Sequence, residues 1–289
     1  MFNTGKELLN ACNENRSKIY EIVIEKEHIV SGISYGEIKN KMKDTLEVMK
    51  ISATEALDKK IPSVSGLTGG NSVKVEKYKN NKTFSGSFIN GAMAKAFSTS
   101  EVNASMGKIC ASPTAGASGI LPSALLSAQE KMGFSDETLI NGLFTASGIG
   151  GIIAKNATVS GAEGGCQAEC GVAAAMAASA LVEMSNGSPE QALNAASFAL
   201  TNIMGLVCDP IAGLVEYPCN LRNASGVVNA LISADLALAN VDSLIPFDEV
   251  VEAMYKVGKA LPESLRETAL GGLAATPTGK ELERELLDE

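Results

Sequence analysis

Gly171-Val-Ala-Ala-Ala-Met-Ala-Ala-Ser-Ala-Leu181 is the longest strongly apolar run in the sequence. A membrane-spanning helix needs roughly 20 apolar residues, which this run falls short of. It is expected to be a helix buried inside a protein that does not cross a membrane. Most of its side chains are single methyl groups, so the elements packed on it must approach closely. The composition agrees: hydrophobic residues make up 45% of the chain and aromatics only 4%, with no Trp. Such a core is filled by Leu, Ile, Val, Met and Ala. At 289 residues the chain can build one large core or two ordinary domains. Nothing reads as a linker, so residues 1–289 are taken as one domain.

On either side of this run the pattern stays helical. The helix holding it is expected over Gln167–Met184. Ser188-Pro-Glu-Gln191 opens another, running to about Met204, with a cap, a proline at the first helical position and a capping-box glutamine. Ser135 caps a helix whose first turn carries Asp136 and Glu137, acids that suit the positive end of the helix dipole. Further helices are expected over Leu121–Met132, Arg222–Ala239 and Phe247–Lys259, with a charged, frayed one over Lys280–Glu289.

The N-terminal region, residues 1–61, reads as a protruding pair of helices. Ile38, Met42, Leu46, Met49, Ala53 and Leu57 recur at helical spacing. Gly32 and Gly36 bracket the turn before them, and Pro62 is expected to end the second helix. Residues 63–84 have turn chemistry and weak alternation, which suits a short hairpin or an extended loop. No run of β-branched strands alternates with helices, so a parallel α/β sheet is not expected. The fold class is all-α: a compact multi-helix domain with glycine-rich loops and room for one short hairpin.

The formal charge of −9 and a pI near 4.9 disfavour nucleic acid, because an acidic surface repels phosphate backbones. One basic cluster, Lys74, Lys77, Lys79 and Lys82, reads as a solvated segment or a partner contact. The N-terminus shows no apolar signal region. Six cysteines without such a signal point to a reducing cytoplasm and away from a disulfide framework.

Three glycine-rich segments are candidates for chemistry: Ser65-Gly-Leu-Thr-Gly-Gly70, Ser112-Pro-Thr-Ala-Gly-Ala-Ser-Gly119 and Ser160-Gly-Ala-Glu-Gly-Gly165. Glycine lets backbone N–H groups approach a ligand, and a helix start favours anions. None matches a nucleotide fingerprint, and each could equally be a helix connection. Among the cysteines, Cys166 and Cys170 share a helix face by spacing, and Cys208 and Cys219 flank a Gly/Pro-containing segment. Cys12 and Cys110 stand alone. Free cysteine also packs as a small hydrophobe, so spacing leaves metal binding and core packing both open; Cys12 is read as core. The single histidine, His28, sits near a helix end, where a cation suits the dipole. Lys74 and Lys155 are conceivable bases, but solvated or structural lysines are the plainer reading.

Taken in order, Ser65–Gly70, Ser112–Gly119, Glu163-Gly-Gly-Cys-Gln-Ala-Glu169, Gly205-Leu-Val-Cys-Asp-Pro-Ile-Ala-Gly213 and Val215-Glu-Tyr-Pro-Cys-Asn-Leu-Arg-Asn223 resemble the iron–sulfur L-serine dehydratases over nearly the whole chain. The resemblance implies a 4Fe–4S cluster held by Cys166, Cys208 and Cys219, with Cys170 in packing. It implies that one iron, lacking a thiolate, acts as Lewis acid on the serine hydroxyl, and that exposure to oxygen inactivates the enzyme. It implies substrate binding by Ser65, Thr68, Gly69, Gly70, Ser112, Thr114 and Gly116, these two loops holding the carboxylate of L-serine. Single-chain relatives carry an additional domain, and some end in a cysteine that caps the open iron. This sequence ends Leu286-Leu-Asp-Glu289 and so resembles the separate α subunit of the two-subunit form. That form implies a β subunit and a higher oligomer, and the catalytic base is left unassigned. The competing readings are a related iron–sulfur cysteine desulfidase and a cluster-binding subunit without turnover.

Overall fold

The computed structural model describes residues 1–287, which contain thirteen α-helices and no β-strand. In chain order these are α1 (Gly5–Asn15), α2 (Ile19–Ser31), α3 (Tyr35–Thr54), α4 (Asn71–Tyr78), α5 (Gly86–Ala104), α6 (Ile120–Met132), α7 (Asp136–Asn156), α8 (Gly161–Gly164), α9 (Val172–Met184), α10 (Pro189–Thr201), α11 (Cys219–Leu238), α12 (Phe247–Ala260) and α13 (Pro277–Leu287).

The Ala-rich run forms α9, and all of its residues are buried. A helix apolar on every side has no face for water, and α6, α7, α10 and α11 close around this one. Small residues make that possible. A Cβ on Gly142 or Gly150 of α7 would stand 2.8 Å from the sulfur of Met184 or Met176. Those glycines let α7 pack directly on α9.

Three acids join distant parts of the chain by capping helices they do not belong to. Asp248 on α12 accepts the Gly5 and Lys6 N–H groups at the start of α1, at 2.6 and 3.0 Å. Glu183 on α9 accepts the Ile19 and Tyr20 N–H groups at the start of α2, at 2.6 and 3.1 Å, and the Thr145 hydroxyl at 2.6 Å. Glu101 on α5 accepts the Ser72 N–H at the start of α4, at 3.0 Å. Each carboxylate meets unsatisfied N–H groups at the positive end of a helix. The capping residues read from sequence also hold: Ser135 accepts from the Thr138 N–H, and Ser188 and Gln191 form the reciprocal box.

Several expectations are corrected. The first 61 residues hold three helices, not two, because Arg16 turns into the left-handed region and closes α1 without a glycine or proline to announce it. They do not protrude: Phe2, Leu8, Ile19 and Leu46 are fully buried, and α1 and α2 pack on α10, α12 and α7. α3 ends at Thr54, well before Pro62, where the Ala56 N–H turns to the Ser98 hydroxyl. In place of a hairpin within residues 63–84, Gly69 forms one antiparallel bridge back to Pro62, and α4 follows. The Glu101 cap induces that helix, a tertiary partner that local alternation does not register. The basic cluster thus lies on α4 and the turn after it. The final helix spans Pro277–Leu287, and residues 288–289 of the expected Lys280–Glu289 helix lie outside the described residues.

Candidate functional site

Cys166 marks the entrance to the central helix. Gly165, at φ 75°, turns the chain out of α8, and Gln167–Gly171 forms a π-turn that runs straight into α9. π-bulges of this kind concentrate at functional sites. The turn is pinned by Gln167, whose side chain donates to Gly164 O and Met254 O at 2.9 and 3.0 Å and accepts the Gly205 N–H at 2.8 Å. One buried amide therefore joins α8, α12 and the chain leading to Cys208.

Cys208 lies in irregular backbone, as its Gly/Pro surroundings suggest. Its N–H donates to Leu265 O at 2.9 Å and its carbonyl accepts from the Glu267 N–H at 2.7 Å. The next residue, Asp209, accepts from Arg222 at 2.7 Å and from the Leu273 N–H at 2.7 Å. Arg222 also donates to Val207 O at 2.8 Å. Cys219, expected in irregular backbone, is instead the first residue of α11; the helix begins three residues earlier than its periodicity suggests. Two of the three cysteines thus stand at helix starts.

Cys166, Cys208 and Cys219 are each at most 6% exposed. Burial pushes the Cys208 and Cys219 thiols far up. Cys166 is held below the ordinary thiol value by its neighbour Cys170, whose sulfur is 3.4 Å away, and by Arg222. Cys170, fully enclosed, moves up in response. Among the described residues, no three Cys, His, Asp or Glu side chains converge tightly enough to hold a single metal ion.

Glu169 links this group to the Ser112 loop. It accepts the Thr114 hydroxyl at 2.7 Å and faces the Cys208 sulfur at 3.8 Å. A Cβ on Gly161 or Gly116 would fall 2.6 or 3.1 Å from its carboxylate, so those glycines clear the space it fills. Burial raises the Glu169 carboxyl above the usual range, which favours proton exchange nearer neutral pH. Asn223 on α11 ties the same loop down: it accepts the Gly119 N–H at 2.8 Å and donates to Gly116 O at 2.6 Å and Cys219 O at 2.8 Å.

The Ser65 loop joins through a second buried acid. Glu216 accepts the Ser65 hydroxyl at 2.7 Å and the Thr68 hydroxyl at 2.6 Å. Gly69 passes so close to Ile61 that a Cβ would stand 2.5 Å from its carbonyl oxygen. Gly70, at φ 86°, is the residue from which α4 starts. Ser112 donates to Cys110 O at 3.3 Å. The Ser112 loop therefore reaches Cys208 through Glu169, and the Ser65 loop reaches Glu216, but Ser65, Thr68 and Thr114 already have protein partners.

Other candidates lie elsewhere. Cys12 packs in the core under α2, its thiol pushed up to about 12 by burial and by Glu183. Cys110 points to Thr45 O at 3.6 Å. His28 stacks on Tyr35 and bonds Ile33 O through Nδ1 at 2.7 Å. Lys74 is exposed on α4, and Lys155 bonds Asn3 at the surface. Sequence reading did not single out Glu169, Glu216, Asp209, Arg222, Gln167 or Asn223. A usable signal was present for Glu169, a lone acid at the start of a long apolar and glycine-rich run.

Residues 14–274 match the profile of the family described as serine dehydratase alpha chain. The L-serine dehydratase alpha chain of Peptoniphilus asaccharolyticus is 55% identical over 290 aligned residues, covering 100% of this chain and 99% of that protein. The probable L-serine dehydratase alpha chain of Bacillus subtilis is 48% identical, over 99% and 95%. An L-serine dehydratase of Helicobacter pylori is 34% identical over 95% of this chain but only 62% of its own length.

Proposed function

The chain belongs to the serine dehydratase alpha-chain family, and from that premise we propose that it is the catalytic α subunit of a two-subunit, iron–sulfur L-serine dehydratase. It removes water from L-serine, and the resulting aminoacrylate tautomerises and hydrolyses to pyruvate and ammonia. A β subunit completes it, and the assembly works as a higher oligomer in the reducing cytoplasm.

One observation carries the cofactor assignment. Three buried thiols from separate segments, Cys166, Cys208 and Cys219, lie within electrostatic reach of one another and of the Arg222 guanidinium. Soft thiolates are the donors that iron–sulfur clusters take. When bound through three thiolates, a 4Fe–4S cluster leaves one iron open as a Lewis acid toward the substrate hydroxyl.

The protein's own residues supply the rest. Arg222 supplies positive charge beside the sulfurs while fixing the Cys208 turn through Asp209. Gln167 sets the Cys166 turn. The Ser112 loop, with Ser112, Thr114 and Gly116, and the Ser65 loop, with Ser65, Thr68, Gly69 and Gly70, frame the bound amino acid. Asn223 and Glu169 hold the first loop against α11 and Cys208.

Pyruvate formation, assayed anaerobically with the β subunit, tests this reading. L-serine is expected to give pyruvate and to be preferred over L-cysteine, with the activity lost in air. Sulfide release from L-cysteine as the dominant reaction would make the enzyme a desulfidase. A full cluster without turnover of either substrate would make it a binding subunit.

A further inference from the structure

Glu216 is 7% exposed and, like Glu169, is a buried acid with no cation beside it; unlike Glu169, it has both carboxylate oxygens held by hydroxyls. Glu183 and Glu101 accept N–H groups at helix starts, where the dipole offsets their charge. Asp209 is paired with Arg222. Among the described residues, no lysine, arginine or histidine nitrogen lies within 4 Å of Glu216. Its side chain accepts from two neutral hydroxyls, those of Ser65 and Thr68. A buried charge without a countercharge is costly, so the site is built for a cation that arrives from outside.

The direction of the protons gives the same answer. A hydroxyl has one proton to donate. Ser65 gives its proton to Glu216 while its oxygen accepts the Leu67 N–H at 3.1 Å. Thr68 gives its proton to the other carboxylate oxygen. The Ser65 oxygen also meets the Ser63 hydroxyl at 3.3 Å, so what the trio presents to a ligand is the Glu216 carboxylate and the Thr68 oxygen, which repel a carboxylate and attract an ammonium. Of the trio, Thr68 reaches a cavity of about 460 Å³, which it lines with Leu67, Ile211, Tyr217 and Leu273.

We propose that Glu216, oriented by Ser65 and Thr68, receives the α-ammonium group of the amino-acid substrate. This rests on the dehydratase reading and revises one part of it. The Ser65 loop serves the amino group rather than the carboxylate. Glu216 then makes the site selective for amino acids over the corresponding hydroxy acids.

The test is equilibrium binding of L-serine and of glycerate to the anaerobic, cluster-loaded αβ enzyme. Glycerate carries a neutral hydroxyl where serine carries its ammonium. Glu216→Gln is expected to weaken L-serine binding about tenfold or more, leave glycerate binding within about twofold, and leave the iron content unchanged. Parallel loss of both ligands, or no change in either, would overturn the assignment. Should Glu216→Gln fail to fold or to retain iron, Glu216→Asp decides. It keeps the charge but shortens the reach, so serine alone should weaken. Serine binding that depends on added potassium would also overturn the assignment, giving the lone pairs to a metal cation. If wild-type enzyme binds serine yet forms no pyruvate, the dehydratase reading fails, while the serine-to-glycerate ratio still judges Glu216.

Discussion

Arg222 donates to Asp209 across 2.7 Å, and this buried pair ties the turn that carries Cys208 to the helix that Cys219 begins. Arg222 is one turn into α11 and also donates to Val207 O. Two cysteines on separate segments, Cys208 in a turn and Cys219 at a helix start, are therefore held in register by one side chain. Breaking a buried pair leaves an uncompensated charge, so Arg222→Gln should cost about 3 kcal/mol. It should also lower the iron retained after anaerobic gel filtration. Arg222→Lys, which keeps the charge but loses the two-pronged grip, should fall between. Full iron and wild-type stability in Arg222→Gln would separate this residue from the site.

Gly258 tests the packing beneath Cys166. A Cβ there would stand 2.7 Å from Gly164 Cα and 3.0 Å from the Gln167 amide nitrogen. The nearest obstacle is backbone and cannot swing aside. Gly258→Ala should destabilise the protein by about 1–3 kcal/mol and reduce iron uptake, although the residue touches no cysteine. Thermal denaturation and iron analysis read the two effects separately.

Glu183 fastens the N-terminal helices to the core. Glu183→Ala strands the Ile19 and Tyr20 N–H groups and the Thr145 hydroxyl. The loss should be about 2–4 kcal/mol. Hydrogen exchange should accelerate first over residues 19–31. Uniform acceleration across the chain would contradict a local fastening role.

Glu169 predicts a pH dependence whose sign follows from burial. Its folded value is raised, while an unfolded glutamate titrates near about 4.3. Its contribution to stability is complete below that unfolded value and is lost as pH rises through the folded value. Glu169→Gln removes this titration. Apart from a constant offset, the variant should gain on wild type as urea unfolding is repeated from about pH 4 to pH 7, while losing turnover. A difference independent of pH would show that Glu169 does not titrate in that window.

The parts of the fold legible in the sequence were those carried by local signals. The Ala-rich run at 171–181, the Ser188 box and the Ser135 cap each state a helix within a few residues, and each is present. What escaped depended on distant partners. α4 exists because Glu101 caps it from the following helix, and α1 ends at Arg16, a residue with no turn preference. The site shows the same division. The glycine-rich loops and cysteines stand out in sequence, whereas Glu216 and Asp209 gain meaning only when Ser65, Thr68 and Arg222 are brought to them. The roles of the loop hydroxyls were legible only in part, because their donors are turned to Glu216 and Glu169 rather than to open space.

The central claim is that Cys166, Cys208 and Cys219 hold an iron–sulfur cluster. Its most direct test is iron and acid-labile sulfide per chain after anaerobic reconstitution, compared across the cysteine variants. Wild type, Cys12→Ala and Cys170→Ala should each hold a full 4Fe–4S complement. Cys166→Ser, Cys208→Ser and Cys219→Ser should each lose it. A wild-type chain that takes up no iron, or a full complement in any of those three serine variants, would contradict the account.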